Sequence, residues 1–203
     1  MPSRTALADG QVMPRLKKKH RPISAPAPSL PAPRKETGAI ELIAADDWRS
    51  SSVPDSVLPV PPETLSHGEV ILRFGRIVFG EPARGIVPYY HYRILIPVGM
   101  DAGHINFRVG DTEHIRNCVG HIGFEIAEWF RGNNFALKAC QAIAPFVRTI
   151  YNAVIITCDP ENHASRRTIE DLGALFTDEV DVPPHDPQYA TGSRRKRRYT
   201  WIP

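Results

Sequence analysis

Between residues 69 and 111 the chain changes polarity with a short period. "EVILRFGRIVFG" (69–80) and "YYHYRILIPV" (89–98) are dense in β-branched and aromatic residues, and "HINFRVGD" (104–111) switches between polar and apolar at every step. A period of two sends successive side chains to opposite faces of a sheet, so all three stretches predict strands. "CVGHIGFEIA" (118–127) predicts another, with Gly120 and Gly123 marking a bulge or a close backbone approach.

The period lengthens after Asn134. Phe135, Ala139, Ile143, Phe146 and Ile150 recur at three- and four-residue spacing, the signature of one helix face. Pro145 falls inside this helix and is expected to kink it or loosen a turn. "AVIITCD" (153–159) is a continuous apolar run, as in a strand buried on both faces. "ENHASRRTIEDLGA" (161–174) predicts a second helix, capped by Asn162 and ended by a left-handed Gly173. "LFTDEVDV" and "RRYTWI" predict closing strands around a Pro/Gly/Asp-rich loop at 183–193. Strands feeding helices, after a mostly β first half, predict an α/β domain around one mixed sheet.

The remaining stretches lack such periods. Residues 1–38 combine a basic run, "RLKKKHR", with recurrent proline and few large apolar side chains. They are expected to form a disordered tail, with residues 39–203 as the domain. "AIELIA" (39–44) predicts a short strand, and the Ser/Pro-rich 46–68 an irregular excursion.

Composition narrows the class of protein. No apolar run is long enough for a membrane span, and no signal-peptide core is visible, so a cytoplasmic protein without membrane contact is expected. A net charge of +3 does not argue for a nucleic-acid binder. Cys118, Cys140 and Cys158 form no CxxC pair and sit among apolar neighbours, so they are expected to be small buried hydrophobes, with no metal site.

The candidate chemistry lies at the start of the first helix. "RGNNFA" (131–136) follows a strand and opens a helix, whose first N–H groups lack intrahelical partners and carry partial positive charge. Arg131 adds a cation, Gly132 permits close approach, and Asn133 and Asn134 tolerate left-handed backbone. There is no Gly-Lys-Ser/Thr and no GxGxxG, so neither the nucleotide P-loop nor a dinucleotide fingerprint is present. Taken alone, the turn is either a phosphate cradle or only a turn.

In context the segment "VGHIGFEIAEWFRGNNFALKAC", followed by "AVIITCDPENHASRRTIEDLGALF", resembles the Gcn5-related N-acetyltransferase (GNAT) superfamily. The motif positions that match are Arg131, Asn134, Ala136, Asn162, Ser165, Gly173 and Ala174. The resemblance spans residues 69–203, is most specific over 118–176, and looks closest to a bacterial subgroup with an "RGHHYA"-like turn. It implies a mixed, mostly antiparallel sheet flanked by helices, and acetyl-CoA bound between the strands at 118–126 and 153–159. By resemblance the pyrophosphate meets the amides of Arg131, Gly132, Asn133, Asn134, Phe135 and Ala136. The pantetheine arm adds to the backbone near Phe124, Ile126 and Ala127, with Asn162 as a hydrogen-bonding partner. An amine of a small molecule, or of a protein or peptide, attacks the thioester directly.

The resemblance also locates an expected proton donor, a tyrosine seven positions after Asn162. Here that position is Ile169. Ser165 is one alternative hydroxyl, or simply a helix residue packed by the cofactor. Glu125 and His121, on the strand entering the motif, are the candidate bases; the alternatives are an exposed sheet residue and a structural histidine. His91, Tyr89 and Tyr90 are candidates for the acceptor side, or plain strand packing. Three functions stay open: an acetyl-CoA-dependent N-acyltransferase, a CoA-binding or sensing protein without turnover, and a nucleic-acid binder using "RLKKKHR" and "SRRKRR" (193–198).

Overall fold

A computed structural model of the chain describes residues 58–203. The expected tail, the strand expected at 39–44 and the first part of 46–68 lie outside the described residues. Eight strands form one sheet: β1 (Thr64–His67), β2 (Val70–Val78), β3 (Tyr89–Ile96), β4 (Met100–Arg108), β5 (Ile122–Ile126), β6 (Val154–Cys158), β7 (Leu175–Asp181) and β8 (Arg195–Trp201). Their spatial order is β1-β2-β3-β4-β5-β6-β8-β7, and every neighbouring pair is antiparallel except β5–β6. Helix α1 (Phe135–Arg148) links β5 to β6, α2 (His163–Asp171) links β6 to β7, and the short α3 (Pro187–Ala190) lies between β7 and β8. This is the expected mixed, mostly antiparallel α/β sheet with flanking helices.

The alternating patterns fall on the expected faces. Tyr90, Tyr92 and Ile94 of β3 and Ile105 and Phe107 of β4 are fully buried, as are Ala139 and Ile143 of α1. Burial puts the hydroxyls of Tyr90 and Tyr92 out of reach of water, so each needs a partner. They donate to the carbonyls of Pro59 (2.6 Å) and Pro62 (3.0 Å), which ties the segment before β1 to the core. Cys118, Cys140 and Cys158 are all buried and unpaired.

Two local expectations need correction, and two others are narrowed. "TLSH" forms strand β1, although it is short and polar, because it pairs with β2 in continuous register. The strand expected at 118–127 begins only at Ile122. Before it, Ile115–Val119 makes a single π-helical turn that buries Ile115 and Cys118. No register shift interrupts β4–β5, so Gly120 and Gly123 serve close approach and not a bulge. Helix α1 runs through Pro145 to Arg148; the proline is exposed, and only the carbonyl of Gln141 loses its usual intrahelical donor.

Gly120 sets the relation between β5 and β6. Its φ is 63°, and a Cβ there would lie 2.8 Å from the Ile155 carbonyl oxygen and 3.0 Å from the Thr157 nitrogen. Both the dihedral and the space therefore require glycine. Gly120→Ala is expected to cost about 1–3 kcal/mol in chemical denaturation. Unchanged stability would show that this approach is not a constraint. Among the described residues, no helix is long and apolar enough to cross a membrane.

Candidate active site

Strands β5 and β6 run parallel and share a single registered pair, Ile122↔Ile156. Just before that pair they are stitched by a backbone bond and a backbone-to-ring bond. His121 N–H donates to the Ile155 carbonyl at 2.7 Å, and Ile155 N–H donates to Nδ1 of His121 at 3.1 Å. The Thr157 hydroxyl adds a bond to the Cys118 carbonyl at 2.9 Å. Beyond Ile156 the pairing stops while β5 continues. Ala127 N–H donates to the Ala102 carbonyl of the β4 strand, so the period-two alternation turns the N–H groups of Phe124 and Ile126 toward the β6 side. There β5 presents an unpaired strand edge.

The groove that opens at this edge has a volume of about 580 Å³. It brings together Phe124, Glu125 and Ile126 with Arg131, Gly132, Asn134, Phe135 and Ala136, and with Asn162 and Ser165. These are most of the residues expected from the sequence, drawn from β5, the turn before α1, and the first turn of α2.

The start of α1 is chemically bare. Asn134 occupies the N-cap position in left-handed conformation (φ 57°) and offers no side-chain cap. The first backbone bond of the helix is Lys138 N–H to the Asn134 carbonyl, so the amides of Phe135, Ala136 and Leu137 have no partner within the helix. Gly132 (φ 84°) leaves open space where a side chain would stand. Arg131 is anchored by Nε donating to the Ile126 carbonyl at 3.0 Å, which holds its guanidinium beside the groove. Free amides and one cation are thus brought together, an arrangement whose chemistry suits an anion.

The opposite wall is differently finished. Asn162 caps α2, its side-chain oxygen accepting from Ser165 N–H at 3.0 Å. That leaves the Asn162 amide NH2 without a hydrogen bond among the described residues. Ser165 is half-buried on the wall beside Thr168, whose hydroxyl is taken up by the Ala164 carbonyl at 3.0 Å. Arg167 also lines the groove, in a loose pair with Asp171 at 3.6 Å. Sequence reasoning missed Arg167; the helical spacing of Ala164, Arg167, Thr168 and Asp171 marks one face of α2 and could have found it.

Three expected site residues stand elsewhere. Asn133 does not line the groove, because its side-chain amide donates to the carbonyls of Phe130 and Arg131 and closes the turn. Ala127 commits its N–H to β4 and lies outside the groove. His121 is 2% exposed, against the edge of the Tyr151 ring, and its Nδ1 is occupied by Ile155 N–H. A neutral buried imidazole in that position holds strands together; its Nε2 is buried without a hydrogen-bond partner, and the residue does not line the groove. Ile169, where the resemblance expects a tyrosine, is fully buried in the core between α2 and the sheet.

Glu125 lines the rim of the groove, and strand alternation puts its side chain on the opposite sheet face from those of Phe124 and Ile126. It registers opposite His104 on β4, and His104 packs on the His91 ring at 5.1 Å between centroids. His91 shares a 2.8 Å hydrogen bond with Asn106. Burial, then the neighbouring His91, push His104 below the ordinary histidine range, while the Glu125 charge opposes them. Arg108 lies along the same face, its guanidinium bonded to the Val119 and Gly120 carbonyls and stacked near Tyr89. Of the acceptor-side candidates, Tyr89 and His91 belong to this face, whereas Tyr90 is core, its ring edge against Phe146.

The basic run at 194–198 is largely neutralised in place. Arg198 makes a two-point pair with Asp178, 2.6 Å from Nε to Oδ1. Arg197 and Arg195 reach Glu179, and Lys196 reaches Asp159 at 2.9 Å. Alternate strands with opposite charge at paired positions explain this run as sheet pairing. The run at 15–21 lies outside the described residues.

A family model described as an acetyltransferase (GNAT) domain matches residues 40–175. The chain belongs to the GNAT acetyltransferase family. No curated protein sequence matches it. Solved structures similar to this GNAT chain include an acetyltransferase of Bacillus anthracis, at 23% identity and TM-score 0.44. A second is the Salmonella typhimurium acetyl transferase that modifies the N-terminal serine of the 50S ribosomal subunit protein L7/L12, at 18% identity and TM-score 0.43. A third is the microcin C7 self-immunity acetyltransferase MccE, solved with acetyl-CoA and AMP, at 16% identity and TM-score 0.43. The alignments cover 55%, 57% and 57% of this chain, and 65%, 64% and 61% of the three others in turn. At these low scores the likeness adds nothing to the assignment, which rests on the family model.

The position of His121 has a measurable consequence. Burial pushes its imidazole from the ordinary 6.5 down to about 4, against the smaller opposing effect of its backbone contacts. Protonation therefore favours the unfolded chain. The contribution to stability is fully present above pH 6.5 and is lost as pH falls toward 4, on the order of 3 kcal/mol. His121→Asn keeps an acceptor for Ile155 N–H and cannot titrate there. It is expected to lose less stability than the wild type across that window, and parallel profiles of the two proteins would contradict the structural role.

Proposed function

We propose that this chain is an acetyl-CoA-dependent N-acyltransferase that moves an acetyl group directly to an amine, with its catalytic domain in residues 39–203. The observation that carries the reading is the uncapped start of α1 beside the unpaired edge of β5, in a chain of the GNAT family. The groove fits the chemistry of CoA. Free amides at 135–137 and the anchored Arg131 suit a pyrophosphate, and the N–H groups of Phe124 and Ile126 suit the amides of a pantetheine arm. Asn162 retains an amide NH2 for the same arm. Bound acetyl-CoA would supply the acyl group as a thioester. The protein's contribution is then placement, exclusion of water by Phe124, Ile126 and Phe135, and removal of a proton from the amine.

For that proton we favour Glu125, which faces His104 on the sheet side away from the helices. Ser165 is the hydroxyl best placed on the groove wall to meet a leaving thiolate. The acceptor is an amine-bearing small molecule, or a protein or peptide amine, and the proposed setting is the cytoplasm, where acetyl-CoA is available. We keep the kinship with the "RGHHYA"-like bacterial subgroup within this proposal.

One observation favours a second reading. Ile169 is sealed in the core, so the position that would carry a tyrosine proton donor cannot serve the groove. A protein that binds CoA without efficient turnover is consistent with that. Calorimetric titration with acetyl-CoA, followed by thiol release in the presence of amine and peptide panels, separates the two. Binding with robust turnover supports the transferase, binding without turnover supports the sensor, and the absence of binding contradicts both. Arg131→Glu is expected to weaken acetyl-CoA binding about 10–100-fold, since a charge-assisted contact becomes a repulsion. Unchanged affinity would remove Arg131 from the cradle. Glu125→Gln is expected to lower turnover most near neutral pH and to leave acetyl-CoA affinity unaltered; unchanged turnover would exclude Glu125 as the base.

A further inference from the structure

At the end of β5 away from the groove, three side chains with metal-binding atoms converge from distant parts of the chain. His114 and Cys118 stand four residues apart, at the start and on the body of the π-helical turn Ile115–Val119. Asp186 comes from the loop between β7 and β8, where it caps α3 through a 2.8 Å bond from Gln188 N–H. The donor atoms of His114, Cys118 and Asp186 all lie within 4.8 Å of one another. His114 Nδ1–H donates to Oδ2 of Asp186 at 2.7 Å. Cys118 and Asp186 are buried, and the His114 side chain is 12% exposed.

We propose that His114, Cys118 and Asp186 form a site for a divalent cation of the zinc type. An imidazole, a thiolate and a carboxylate are the mixed N/S/O donors such an ion takes, and alkaline-earth ions prefer oxygen alone. The charges also balance: one thiolate and one carboxylate neutralise a dication, which suits a buried position. Bond lengths of about 2.0–2.3 Å around a tetrahedral ion place ligand atoms about 3.3–3.8 Å apart. The present spacing reaches that with small side-chain rotations, the thiol proton and the His114–Asp186 hydrogen bond giving way to the ion.

The site has an entrance from the surface. A surface cavity of about 400 Å³ adjoins it, lined among others by Thr112, Glu113, His114, His185 and Asp186. His185 and Glu113 face each other on its wall, 3.9 Å from Nε2 to Oε2, and water entering from the cavity would complete the coordination. A bound ion would clamp the segment that feeds β5 to the β7–β8 loop, and so fix the base of the strand pair whose other end forms the groove. The proposal does not depend on the acyltransferase reading.

The test uses the full chain, stripped with chelator and dialysed. Zn(II) titrated calorimetrically is expected to bind about one equivalent per chain and to raise the thermal midpoint, and chelator is expected to reverse the rise. Co(II) in its place is expected to give a thiolate-to-metal charge-transfer band. Cys118→Ser is expected to abolish that band, and Cys118→Ser and His114→Gln each to weaken Zn(II) by about 100-fold or more, beyond the 10–100-fold typical of an outer-shell contact. The proposal is overturned if the wild type shows no saturable Zn(II) binding, if the Co(II) form lacks the band, or if His114→Gln binds as tightly as the wild type. The last two outcomes decide the matter even where Cys118→Ser fails to fold. In each of these cases the three groups are a hydrogen-bonded brace and nothing more.

Discussion

The groove depends on two hydrogen bonds at the foot of one strand pair, one between backbone groups and one from backbone to a histidine ring. His121 N–H reaches Ile155, and Ile155 N–H returns to the His121 ring. Gly120 permits the approach by adopting a dihedral and a closeness that no other residue tolerates without strain. Because β5 and β6 are parallel and anchored only at their starts, sheet twist carries their far ends apart. The edge left open on β5 is an unmet set of hydrogen-bonding groups. In a soluble sheet such an edge is a liability unless something covers it. Here it opens onto a groove floored by Phe124 and Ile126 and closed by two helix starts.

Those helix starts are finished in opposite ways, and the contrast is informative. Asn162 satisfies α2 with its own side chain, whereas Asn134 spends itself on a left-handed turn and leaves α1 uncapped. Forgoing a cap costs about 1 kcal/mol. A bare positive helix end beside an anchored arginine is a sound use of that cost when an anionic ligand supplies the missing acceptors. Arg131 is held by a carbonyl of the same open strand, so the cation, the amides and the strand edge are fixed relative to one another through Ile126.

Much of this was legible in the chain's pattern. The two-residue period found β2, β3 and the later part of β4, and the change of period found α1 together with its buried face. Capping chemistry found α2, since Asn162 and Gly173 act at the two ends as expected. The failures have physical reasons. β1 is four polar residues and is defined by its neighbour, not by its own periodicity. Cys118 and Val119 continue the apolar run into β5, yet they close a π-helical turn, which a pattern scan cannot tell from the start of a strand. Within the site, His121 looked catalytic because histidine titrates near neutrality; only the fold reveals that its ring is inside, with Nδ1 engaged by Ile155 N–H. Arg167 went unnoticed because charge on an exposed helix is commonplace until the facing wall is known.

The central claim is that the uncapped amides of α1 and the open edge of β5 are one ligand-binding surface. Residue-resolved amide NMR with CoA added to the full chain tests this most directly. The account predicts that the largest shifts and the strongest slowing of hydrogen exchange fall on Phe124, Ile126 and Phe135 to Leu137, with Gly120 and His121 little affected. Shifts confined to other surfaces, or none at saturating CoA, would contradict it.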